Sequence, residues 1–169
     1  PKPKNQFINQ GTTRMDMNVC KQELEQITRI IQGTLNIDVA IFDLQSRLIT
    51  CTDDYLQHKG KTVHAPSIDE VVAHGNVVVN KPGHMKACAG CRFLGNCPAK
   101  IEILKSIGCE TPPLGVITFT SFTAEGHDRI TRETKLYVDA LTLFSDWIAE
   151  LISRKNLSAK LDETEQILT

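Results

Sequence analysis

Five short runs with strand character lie between two long stretches with helical periodicity, and that order leaves few architectures open. The strand-like runs are "DVAIFD", "RLITCT", "NVVVN", "KIEILKSIGC" and "LGVITFTSF". Only "LQS" separates the first two, which is hairpin length, and "ETPP" supplies turn residues between the last two. Ahead of them, Cys20, Leu24, Ile27 and Ile31 step by four, three and four, the trace of one helical stripe, with Gly33 as its predicted end. In "PSIDEVVAHGN", Ser67 and Glu70 read as a capping box and Gly75 as a C-terminal cap, so a short helix is expected between them. Near the C-terminus Leu136, Ala140, Leu143, Trp147 and Leu151 share one helical face, with Tyr137, Leu141, Phe144, Ile148 and Ile152 beside them.

Hairpin connections imply an antiparallel sheet of about five strands. The expected fold is α+β, with the N- and C-terminal helices on one face of the sheet. The short helix and a cysteine-rich segment are left to cover the other face. A space between sheet and segment is predicted to hold a small ligand. The apolar sector of the last helix is wider than one sheet requires, which predicts a homodimer through the terminal helices.

Composition narrows the function classes. Hydrophobic residues make up 41% but aromatic residues only 5%, so the core must be mostly aliphatic. A formal net charge of −1 gives no general attraction to nucleic acid, and no direct contact with it is expected. No run approaches the roughly 20 apolar residues that a membrane span needs. Residues Pro1 to Asn18 lack the apolar middle of a secretory signal. The cytoplasm is the default compartment, and there six cysteines are expected free, metal-bound or redox-active rather than paired. Residues 1–15 read as a disordered lead-in and 16–155 as one sensory-sized domain. Residues 156–169 read as the start of a linker helix to an effector outside this sequence, the chain being an excised module.

The segment "KPGHMKACAGCRFLGNCPAK" concentrates the chemistry. Cys88, Cys91 and Cys97 form C-x2-C-x5-C, followed at once by Pro98. Two cysteines spaced in this way turn both sulfurs toward one centre, and the third lies within loop reach. Three thiolates with a fourth donor suit a zinc ion, or three suit an iron–sulfur cluster. His84, four residues before Cys88, is the nearest fourth candidate, with Cys51, Cys109 and Cys20 more distant. Lys81, Lys86, Arg92 and Lys100 surround the thiols, and positive charge favours thiolate, the form that binds metal and the form that oxidises. A metal site, a redox switch and an inert structural loop all remain open on this pattern. Cys20 continues the first helical stripe and reads as a small buried hydrophobe. Cys51 shares a strand face with Ile49, and Cys109 sits at a turn.

Other catalytic patterns are weak. None of the five histidines forms H-x3-H, and there is no nucleophile elbow, P-loop or dinucleotide fingerprint. Asp53 with Asp54, at the end of a strand, reads as a helix cap rather than an acid–base dyad.

The order "IFDLQSRLI", "KPGHMKACAGCRFLGNCPAKIEI", "LGVITFTSFT" and a long helix resembles the N-terminal GAF/PAS-like sensory domain of bacterial sigma-54-dependent transcriptional activators. The match spans residues 35 to 155; its cysteine segment is specific and its sheet pattern generic. The resemblance implies a non-enzymatic, signal-receiving module that precedes a further sensory domain or an AAA+ ATPase, with a helix-turn-helix domain at the far end, and with Cys88, Cys91 and Cys97 as the family's cluster and His84 beside it. Two departures stand out: the last strand has fewer glycine and apolar residues than the pattern, and Gly126 occupies the start of the last helix. The alternative is a GAF-type thiol-dependent reductase of a small oxidised substrate, similar to free-methionine-sulfoxide reductases.

Overall fold

A computed structural model describes residues 15–61 and 65–168; the expected lead-in lies almost wholly outside them. In chain order the elements are α1 (Lys21–Leu35), β1 (Asp38–Asp43), β2 (Leu48–Cys51), α2 (Asp53–Lys59), α3 (Ala65–His74), β3 (Asn76–Val79), β4 (Ile101–Ile107), β5 (Gly115–Ser121), α4 (Ala124–Arg132) and α5 (Thr134–Leu168). The strands form one sheet in the order β2-β1-β5-β4-β3. Every neighbouring pair is antiparallel, as the hairpin-length connections required.

Strand periodicity divides the core in two. On one face Val39 and Ile41 of β1, Ile101, Ile103 and Ile107 of β4, and Ile117 and Phe119 of β5 pack against Leu24, Ile27 and Ile31 of α1 and Tyr137, Leu141, Ile148 and Ile152 of α5. On the other face Ala40, Phe42, Leu104 and Val116 meet Tyr55 of α2, Ile68 and Val71 of α3, and Cys88. Each large apolar side chain fully buried here contributes roughly 1.5–3 kcal/mol by leaving water. The terminal helices therefore lie on one face, with the short helices and the cysteine segment on the other.

Several local expectations need correction. The first helix runs through Gly33 and ends at Asn36, whose left-handed backbone (φ 50°) lets its N–H reach the Gln32 carbonyl at 2.9 Å. Helix α3 begins at Ala65, ahead of the predicted cap, because Ser67 is buried and donates instead to the Ala87 carbonyl at 3.1 Å. Gly75 does close it, with φ 83° and its N–H on the Val71 carbonyl at 2.7 Å. Asp53 and Asp54 sit in the first turn of α2, a seven-residue helix that periodicity did not indicate.

The last helical stretch is two helices. Thr123 caps α4 by accepting from the Gly126 N–H at 3.1 Å. A Cβ at Gly126 would lie 2.0 Å from the Ser121 hydroxyl oxygen, so no larger residue fits. That contact accounts for the glycine where a stronger helix former was expected. Helix α5 then runs for 35 residues and is fixed to β4 by Ser145, whose hydroxyl donates to the Ser106 carbonyl at 2.7 Å.

Candidate functional site

The segment from Lys81 to Lys100 folds as a chain of tight turns. Amides of His84, Cys88, Cys91 and Leu94 each reach the carbonyl three residues back, at 2.9–3.0 Å. Gly83 is the hub. Its φ of 85° suits glycine, and its N–H points at the Cys88 sulfur, 3.2 Å away. A Cβ there would stand 3.0 Å from the Phe93 carbonyl and 3.2 Å from the Cys97 Cβ. Cys88 and Cys97 thus both pack on one glycine. The Phe93 N–H approaches the Cys91 sulfur at 3.4 Å.

The predicted ligands face different surroundings. Cys88 is buried among the apolar side chains over the sheet. Cys91 is half-buried, while His84 is exposed and shares an outer groove with the half-buried Cys97. Cys51 stays half-buried on β2, and Cys109 is exposed at its turn. Among the described residues, no group of three or more His, Cys, Asp or Glu side chains is gathered closely enough to hold a metal ion. Cys88 points into the core cluster while His84 and Cys97 line the groove outside it.

The lowering of thiol pKa expected from the basic residues is not found at Cys97. Burial pushes the Cys97 thiol up, against the pull of Lys59 and with the help of Glu102 and Cys91. Burial, followed by Asp53 and Asp38, raises Cys51 to about 11. At Cys97 desolvation outweighs even the buried Lys59 ammonium. Cys20 is fully buried and likewise raised to about 11, in keeping with its reading as a small core residue.

Beneath the segment lies a feature that the sequence reading missed. The Lys59 ammonium, at the end of α2, is buried and ion-paired with the Glu102 carboxylate of β4, itself buried. The Thr120 hydroxyl donates to the same carboxylate oxygen at 3.4 Å. The ammonium lies 5.8 Å from the Tyr55 ring centre and 5.7 Å from that of Phe93. Arg92 stacks its guanidinium 4.3 Å from the Phe93 ring and donates to the Lys59 carbonyl. Burial first, then Glu102 and the thiols Cys51, Cys97 and Cys91, holds the Tyr55 hydroxyl well above its ordinary pKa. This pair and its aromatic neighbours lie between the sheet and the segment, where a ligand was expected. One signal was readable: in "KIEILKSI", Glu102 shares the strand face of Leu104, so its side chain had to enter the interior.

No protein-family model matches the chain, and no curated protein matches it. Solved structures do. The chain is similar to the A. aeolicus nlh2 GAF domain in an inactive state (TM-score 0.57, 13% identity, covering 80% of this chain and 85% of that one). It is similar to the phycocyanobilin-bound GAF domain from a cyanobacterial phytochrome (TM-score 0.55, 10% identity, 82% and 86% covered). It is also similar to the type II free methionine-R-sulfoxide reductase from Thermoplasma acidophilum (TM-score 0.54, 11% identity, 83% and 98% covered). Strand order, helix placement and these likenesses agree: the chain has the fold of a GAF domain.

Proposed function

We propose that this chain is a signal-sensing regulatory domain of a bacterial transcriptional regulator, in which the cysteine segment receives the cue and α5 carries the response. The observation that carries this reading is the position of β4. Its Glu102 holds the charge pair under the cysteine segment, while its Ile101, Ile103 and Ile107 pack into the cluster shared with α5. Its Ser106 carbonyl is bonded to α5 directly. A ligand or thiol oxidation that shifts the segment thus acts on a strand that touches the output helix. Such a device requires two arrangements that the cue binds or stabilises unequally.

Helix α5 carries the response to a second copy of this chain and then to an effector. The residues Leu136, Ala140, Leu143, Trp147, Glu150, Arg154, Leu157 and Leu161 keep the alternating four–three spacing of a coiled-coil seam, apolar except at the Glu150–Arg154 ion pair. Leu143 and Trp147 are 68% and 51% exposed in the single chain, and Leu157 and Leu161 are exposed further along. The sigma-54 activator resemblance supplies the effector: an AAA+ ATPase followed by a helix-turn-helix domain. The experiment is to replace Cys88, Cys91 and Cys97 together by serine in the full regulator and follow a promoter reporter. Output is expected to lose its dependence on redox state or ligand, and a cue response equal to wild type would refute the role of the segment.

A thiol-dependent reductase is the second reading, favoured by the likeness to the Thermoplasma acidophilum enzyme. It requires a thiolate nucleophile, and Cys97 and Cys51 are both held as thiols by burial. Consumption of free methionine-R-sulfoxide with thioredoxin as reductant would establish it in place of the sensor.

A further inference from the structure

Along the outer side of the cysteine segment runs a groove of about 460 Å³. Lys81 and His84 enter it from the start of the segment, Cys97 from its end, Lys100 from the head of β4 and His127 from α4. No carboxylate lines it. Among the described residues, neither Lys81 nor Lys100 has an acidic partner within ion-pairing distance. Asp128 meets the His127 Nδ1 at 3.1 Å but has a side chain 77% exposed to water. This excess of positive groups does not reflect a basic protein, because the whole chain carries −1. A neighbouring groove of about 280 Å³, past the turn at Phe122, has more acid than base in its lining, with Asp38, Asp54 and Glu125 against Arg129 and His58. Charge is therefore segregated between two adjoining openings.

The geometry points to the first groove as a binding site for a small dianion that carries carboxylate or phosphate groups. Lys81 and Lys100 supply the two ammonium groups, and Asn80, His84 and His127 supply further hydrogen-bonding atoms. A dianion seated there bridges the cysteine segment to β4 and α4, the elements through which the proposed signal leaves. The consequence of binding rests on the sensory reading; binding itself does not.

Calorimetric titration with succinate and, separately, inorganic phosphate at low ionic strength tests the site. Wild type is expected to bind one of them with a Kd below about 1 mM, and the better ligand distinguishes carboxylate from phosphate as the natural source. Lys81→Gln with Lys100→Gln should weaken binding about tenfold or more, and both side chains are exposed, so the fold should survive. The control Lys160→Gln removes an exposed charge from α5 and should change nothing. Amide shifts on titration should centre on His84, Lys100 and His127. No binding up to about 10 mM, or equal weakening by the control, overturns the proposal. Binding in the groove without any reporter response in the full regulator would leave the site standing and remove the sensory role.

Discussion

The residues that set this domain apart are two opposite charges buried where a ligand was expected. Breaking the Lys59–Glu102 pair from one side leaves a charge in an apolar interior. Glu102→Ala should therefore lower unfolding stability by about 3–5 kcal/mol, read from urea denaturation. Replacing both together, with Lys59→Met and Glu102→Leu, should restore most of that loss. Additive losses in the double variant would show that the pair is not what the interior depends on. The thiols make a second residue-level prediction. Because burial raises Cys97, its alkylation by iodoacetamide should climb with pH to a midpoint above the 9.0 of an ordinary cysteine. The folded state holds that proton more tightly than the unfolded chain, so Cys97 weakens the fold as pH rises through its raised pKa. A mass-spectrometric labelling profile that levels off below 9.0 would contradict this.

At the scale of elements, the strands were legible as short runs rich in β-branched residues bounded by turn residues, because β1, β4 and β5 are buried on both faces and carry little alternation. Helix α5 was legible from its period of 3.6. Helix α2 was not, since its seven residues bury only Tyr55 and the aliphatic stem and ammonium of Lys59. A buried lysine carries no hydrophobic signal, and its partner lies 43 residues away. The cysteine segment has no period, because successive turns rather than a regular element hold it. Its turns bring Cys88 and Cys97 onto Gly83, with Cys88 in the inner cluster and His84 and Cys97 along the groove. For α5 the exposed stripe yields a sharp expectation. Leu143→Glu with Trp147→Glu should convert a dimer to a monomer in sedimentation velocity while leaving circular dichroism unchanged. A wild-type chain that sediments as a monomer at high concentration would remove the pairing.

Seen whole, the molecule is a sheet with the cysteine segment and short helices on one side and the terminal helices on the other, and most of that plan could be read from the order of the elements. What could not be read was how the cysteine side is packed, because that depends on contacts between residues far apart in sequence. The geometry of α5 bears on how a signal of the proposed kind would travel. From Ser145, where the helix is bonded to the sheet, to its last turn there are some 23 residues, or roughly 34 Å at 1.5 Å per residue. A tilt of only about 5° at that fulcrum swings the far end by roughly 3 Å. A displacement too small to disturb the packing of the sheet is thereby magnified at the tip by leverage alone.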